Sequence, residues 1–245
     1  MAKGIASGRA TAVASSLWAV STDIDAVGDD TVETAPPAGR RLPVLGLVVV
    51  LLAAAALVLF FTRQATPGDT SPEAGFARDM GVHHAQAVEM SFVLRDKTSD
   101  EQLRSLAYDI ITTQSTQRGI FMGWLQQWGL DQSSDRPAMA WMSGHGHGGG
   151  SATGLLPDGR MPGMASEEEM NRLRQATGKD AEILFLQLMI RHHQGGVDMA
   201  QGLLKLSDRD EVRALAQHIV DGQNAEIRVM KDLLAMRGAQ PLPAP

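Results

Sequence analysis

Polar and apolar residues alternate with the period of a helix in two stretches of the chain. Phe76, Met80, His83, Ala87, Met90 and Leu94 follow one another in steps of four and three. That stepping puts them in a single stripe on an α-helix, the stripe that faces a bundle core. Phe185, Met189, His192, Gly196, Met199 and Leu203 repeat the steps. The spacing predicts that His83 and His192 point inward, with His84 and His193 about 100° round the helix beside them.

A third stretch, "LPVLGLVVVLLAAAALVLFFT" from Leu42 to Thr62, has no charged residue. Its length matches the ~20 apolar residues of a transmembrane helix. Arg40 and Arg41 precede it and Arg63 stands alone after it. The positive-inside rule then predicts a cytoplasmic N-terminus and an extracytoplasmic C-terminal part. Residues 1–41 lack periodicity and are expected to be a disordered cytoplasmic tail. Residues 63–72 read as a linker.

The two amphipathic stretches are copies. Shifted by 109 positions, residues 76–129 align with 185–238 without a gap, and about a quarter of the positions are identical. His83-His84 fall on His192-His193, Met80 and Met90 on Met189 and Met199, and Gln114 on Gln223. Each copy reads as a helical hairpin. Ser99 with Gln102, and Ser207 with Asp210, resemble capping boxes that start the second helix. Gly129 and Gly238 stand where a glycine would end it. Each helix is then roughly 25 residues, about 37 Å, long. The expected fold is all-α: a ferritin-like four-helix bundle over 73–238, built from two repeated hairpins and preceded by one transmembrane helix. Between the hairpins, 131–165 is a loop rich in Gly, Pro, Met and His; Ser166 with Glu169 predicts a short helix after it, and 239–245 is a tail.

Composition narrows the chemistry. The chain has 245 residues, a formal net charge of −6 and no cysteine. The charge gives no reason to expect nucleic acid. Disulfides, thiolate metal sites and a cysteine nucleophile are excluded. All seven histidines, and every methionine except Met1, lie beyond the apolar segment. Imidazole with thioether and without thiolate favours copper among common metals. The first candidate ligand set is Met80, His83, His84, Met90, Met189, His192, His193 and Met199. Met80 and Met189 lie one turn from their histidines, whereas Met90 and Met199 lie about 10 Å along the axis from the inward histidines and read equally well as core. A second, weaker and more exposed set is Met139, Met142, His145, His147, Met161 and Met164. The competing reading makes the chain a structural or partner-binding bundle whose buried histidines only hydrogen-bond one another or a group such as Gln223.

Di-iron chemistry would need Glu-x-x-His motifs on facing helices. Asp79 precedes His83 by four, but the equivalent residue is Leu188. No Ser-His-Asp set or phosphate loop is visible, so an enzyme ranks below both binding readings. Partners are a metal ion and, through 42–62, a membrane; a homo-oligomer is compatible with the pattern.

"FARDMGVHHAQAVEMS", "MPGMAS" and "FLQLMIRHHQGGVDMA" together resemble the family catalogued as domain of unknown function 305, over about Glu73 to Gly238. The resemblance implies a ferritin-like bundle outside the cytoplasm and a link to copper handling. It carries the site onto the eight residues of the first set. Gly195-Gly196 depart from it, standing where alanine is frequent, and so does Gly81 before Val82.

Overall fold

The computed structural model describes residues 41–64, 66–143 and 154–243. Apart from Arg41, the expected cytoplasmic tail lies outside the described residues, as do His145 and His147. All secondary structure among them is helical.

Helix α1, Arg41–Gln64, forms from the apolar stretch. Its side chains are described from 44 to 60, and all are exposed. Among the described residues no helix is long and apolar enough to cross a membrane. The span expected at 42–62 is therefore a helix here, and its crossing of a membrane is not borne out among the described residues.

Four long helices make two hairpins. The first is α2, Pro72–Arg95, with α3, Glu101–Gln127. The second is α5, Gly178–Leu206, with α6, Asp210–Met236. The short α4, Glu167–Gln175, precedes the second hairpin and opens with the expected capping box of Ser166 and Glu169. The hairpins meet through α2 and α5. Ala87, Met90 and Leu94, late on α2, share one apolar cluster with Phe185, Leu186 and Met189, early on α5. Ala74, Phe76 and Met80, early on α2, share the other with Val197, Met199 and Leu203, late on α5. The two helices thus run antiparallel, and the histidine pairs fall between the clusters.

The repeat is visible in single contacts. Thr98 Oγ1 donates to Glu182 Oε1 at 2.6 Å, and its counterpart Ser207 Oγ donates to Glu73 Oε1 at 2.6 Å. Arg104 caps the carbonyls of Arg95 and Thr98, as Arg213 caps those of Leu204 and Ser207. These bonds displace the expected caps. The first hairpin's second helix starts at Asp100, whose carboxylate accepts from the Gln102 and Leu103 amides at 2.9 and 3.1 Å. Ser99 is not the cap. Nor is Ser207, which ends α5; α6 starts at Arg209 without a side-chain cap. Gly129 and Gly238 do end their helices, with φ of 71° and 73°. In each, the glycine amide and the next amide reach back to close the last turn (Leu130 to Leu125, Ala239 to Leu234).

The connection between hairpins is packed rather than loose where it is described. Trp141, in the 3-10 turn Ala140–Met142, lies on Gly75 so closely that a Cβ there would be 2.5 Å from the indole. Asp79 accepts from the Met139 amide at 2.7 Å and from the Trp141 indole N–H at 2.8 Å. Burial raises the Asp79 carboxyl above its usual range. Asp79 has no counterpart in the second repeat because it anchors this connection, which that repeat lacks.

Candidate metal centre

All twelve residues of the two stripes are buried, and His84 and His193 are buried with them. The four imidazoles lie close together where α2 meets α5. The inner rings, His83 and His192, are 3.7 Å apart between centroids with planes tilted by 33°. Between centroids, His84 lies 6.5 Å from His83 and His193 lies 6.4 Å from His192. The pseudo-twofold axis of the repeat passes between the inner pair.

Three histidines bond outward through Nε2. His84 meets Gln117 Oε1 at 2.7 Å, His193 meets Glu226 Oε2 at 2.7 Å, and His83 meets the Pro162 carbonyl at 3.1 Å. Gln117 and Glu226 are equivalent positions of the two repeats. Each partner is an acceptor, so Nε2 carries the proton and Nδ1 holds a bare lone pair. The Nδ1 atoms of His83, His84 and His193, and both nitrogens of His192, are buried without a partner. Such atoms cost about 1–3 kcal/mol each when left unsatisfied. The equivalent amides of Gln114 and Gln223 are orphaned as well. Gln223, offered in the sequence reading as a histidine partner, instead fills the space that a Cβ on Gly196 would occupy.

Burial also keeps His83, His84 and His192 neutral. It lowers His83 to about 4 and His84 to about 3, and it holds His192 well below the ordinary histidine value. A neutral imidazole is the ligating form.

A strap closes over the inner pair. The Pro162 carbonyl rests on Gly195 and Gly163 rests on the backbone at Arg191 and His192; neither approach leaves room for a Cβ. Gly163 is in the left-handed region with φ of 76°. Gln86 clamps the strap's end in both directions, to the Ala165 carbonyl at 2.9 Å and from its amide at 2.7 Å. Arg191, next to His192, bonds Glu169 at 2.6 Å, and Arg160 lies 3.8 Å from that carboxylate. The two mid-helix glycines of α5 thus have separate causes, the strap at Gly195 and the Gln223 side chain at Gly196.

The methionines flank the histidines on both sides. Met80 and Met199 share one cluster, and Met90 and Met189 the other. The two thioethers nearest in sequence to the histidines, Met80 and Met189, are therefore on opposite sides of them. Of the second candidate set, Met139 and Met161 are buried in the cluster of Met80 and Met199, and Met142 and Met164 pack against it half-buried. This corrects the expectation of an exposed loop site: the Asp79 anchor and the strap draw those methionines into the core. Among the described residues no group of three or more His, Asp or Glu is arranged to hold a metal ion. Sequence reasoning missed Gln117 and Glu226; their equivalence in the repeat was the signal that could have found them.

An all-helical domain of two repeated hairpins, with four buried imidazoles where they meet, is the class defined by this geometry. Residues 73–234 match the model of the family described as Domain of unknown function (DUF305), and the chain belongs to that family. Among solved structures it is similar to a Streptomyces coelicolor protein called "putative secreted protein DUF305": identity is 47%, coverage 72% of this chain and 99% of that one, and TM-score 0.64. A DUF305 fragment from Deinococcus radiodurans is 35% identical, covering 70% and 98%, with TM-score 0.56. CopM in the Cu(II)-bound form is 29% identical, covering 67% and 96%, with TM-score 0.50. No curated protein matches the chain.

Proposed function

We propose that the chain is a membrane-tethered, extracytoplasmic copper-binding protein that buffers or delivers the ion. The observation that carries this reading is the group of four buried imidazoles whose Nδ1 atoms have no partner. A soft cation satisfies such lone pairs, and the neighbouring thioethers of Met80, Met189, Met90 and Met199 suit copper among common metals. The likeness to CopM, which is known in a Cu(II)-bound form, supports the choice. The frame in this reading is a ferritin-like four-helix bundle over 73–238. Met139, Met142, Met161 and Met164 belong to the margin of the same site, since they line the cluster of Met80 and Met199. The apolar helix α1 supplies the tether, with 1–41 on the cytoplasmic side. The "secreted" name of the Streptomyces coelicolor relative supports an extracytoplasmic place for the domain.

The test is metal analysis of the protein purified from copper-supplemented medium, with a competition titration against a Cu(I) chelator. The parent should retain copper, and His83→Ala with His192→Ala should lose the tight site while remaining helical by circular dichroism. Equal retention by the double variant would make the histidines internal hydrogen-bonding groups of a structural bundle. The outward Nε2 bonds to Gln117, Glu226 and Pro162 are the observation that favours that second reading.

A further inference from the structure

The two halves of the histidine group are matched in shape but not in charge. His84 and His193 are equivalent, equally buried, and bonded through the same nitrogen at the same 2.7 Å. Their partners differ: a neutral amide at Gln117 and a carboxylate at Glu226. The next position differs as well. Arg118 donates from Nε to the Gly81 carbonyl at 3.1 Å, one turn before His84, and its positive charge acts on that ring. Its counterpart is Ile227, buried in the apolar core. The surroundings of His84 are therefore amide plus guanidinium, and those of His193 are carboxylate plus hydrocarbon.

We propose that Gln117 and Glu226 are positioning residues that fix Nδ1 as the ligating atom of the outer histidines, and that their difference in charge polarises the group. Glu226, beside His193, favours the more highly charged Cu(II), and Gln117, beside His84, adds no such preference. This rests on the copper reading above. A carboxylate accepting from the distal ring N–H makes the imidazole a stronger donor and opposes the ion's charge, and such outer partners alter affinity 10–100-fold, roughly. Coulomb's law makes the effect larger for the doubly charged ion at every distance. The amide fixes the same tautomer without adding charge.

The test uses the full-length protein with Glu226→Gln and, separately, Gln117→Glu. Cu(I) and Cu(II) affinities are measured by competition with a chelator selective for each state. Glu226→Gln should weaken Cu(II) about 10-fold while moving Cu(I) less than about 3-fold, which raises the potential of the bound couple. A tenfold change in the ratio of the two affinities corresponds to about 59 mV for one electron. Gln117→Glu should shift the ratio in the opposite direction. A merely structural role would lower both affinities together in both variants and leave their ratio unmoved. Ratios within about twofold of the parent in both variants, or a shift of the same sign in both, overturn the proposal. Should Glu226→Gln fail to fold by circular dichroism, the sign of the Gln117→Glu shift decides alone. A parent that binds neither ion would instead overturn the copper reading itself.

Discussion

His83, His84 and His192 are held neutral by burial, which gives the protein a pH dependence of definite sign. In the unfolded chain each protonates near ~6.5, whereas the folded values are about 4 for His83, about 3 for His84 and well below normal for His192. The unfolded chain thus binds more protons than the folded one below ~6.5. Their contribution to stability is complete above that value and is lost as pH falls through the window toward the folded values. Each pH unit in the window costs up to about 1.4 kcal/mol per histidine. The metal-free protein should melt at a lower temperature at about pH 5 than at about pH 7, and His84→Gln should flatten that slope. Equal slopes in parent and variant would refute the account. Gly195→Ala tests the strap, because a methyl there meets the Pro162 carbonyl. It should cost about 1–3 kcal/mol by overpacking and make residues near Gly163 easier for a protease to cut. The inward direction of His83 and His192 was legible from the steps of four and three. The cause of Gly195 was not, since a carbonyl arriving from the connection leaves no periodicity in the sequence.

The two hairpins are tied at their turns by hydroxyl-to-carboxylate bonds that obey the repeat. Their surroundings differ in a way that predicts unequal costs. Glu182 also accepts from Arg237 Nε at 2.8 Å, so it keeps a partner if Thr98 is lost. Glu73 is buried, and Ser207 is its hydrogen-bond donor. Ser207→Ala should therefore cost about 1–3 kcal/mol in urea denaturation, and more than Thr98→Ala. Equal costs would show that Arg237 does not compensate. At this scale the sequence foretold which segments are helical and where two of them stop. Gly129 and Gly238 announce their left-handed turns because few other residues adopt that backbone readily. The start of α3 was misplaced by one residue: Ser99 and Asp100 both cap well in isolation, and the use of Thr98 by Glu182 is a contact across 84 positions that local pattern does not carry. The burial of Met139 and Met161 was hidden for the same reason, since Asp79 holds that connection at Met139 and Trp141 from 60 and 62 positions away.

Across the whole molecule, α1 presents exposed valines, leucines and phenylalanine from 44 to 60, whereas the long helices after residue 71 bury their apolar stripes. If α1 is the tether, the full chain should float with lipid vesicles, and a chain beginning at residue 66 should remain in the soluble fraction. Flotation of both forms would place the lipid contact elsewhere.

The antiparallel crossing of α2 and α5 also bears on how the molecule is born. Synthesis delivers the first hairpin complete, with the stripe of Met80, His83, Ala87 and Met90 packed on α3 alone, long before Gly178 begins the helix that completes its cover. Loop closure over that distance must be met before the contacts reward it, so assembly is late and slow compared with a local bundle. Until then the nascent half carries a surface made for a copy of itself. A chain ended after Leu130 should accordingly be unfolded when dilute and pair with a second copy when concentrated, setting His83 of one against His83 of the other. In such a pair two short chains would rebuild, without the strap, the arrangement that the long chain reaches alone.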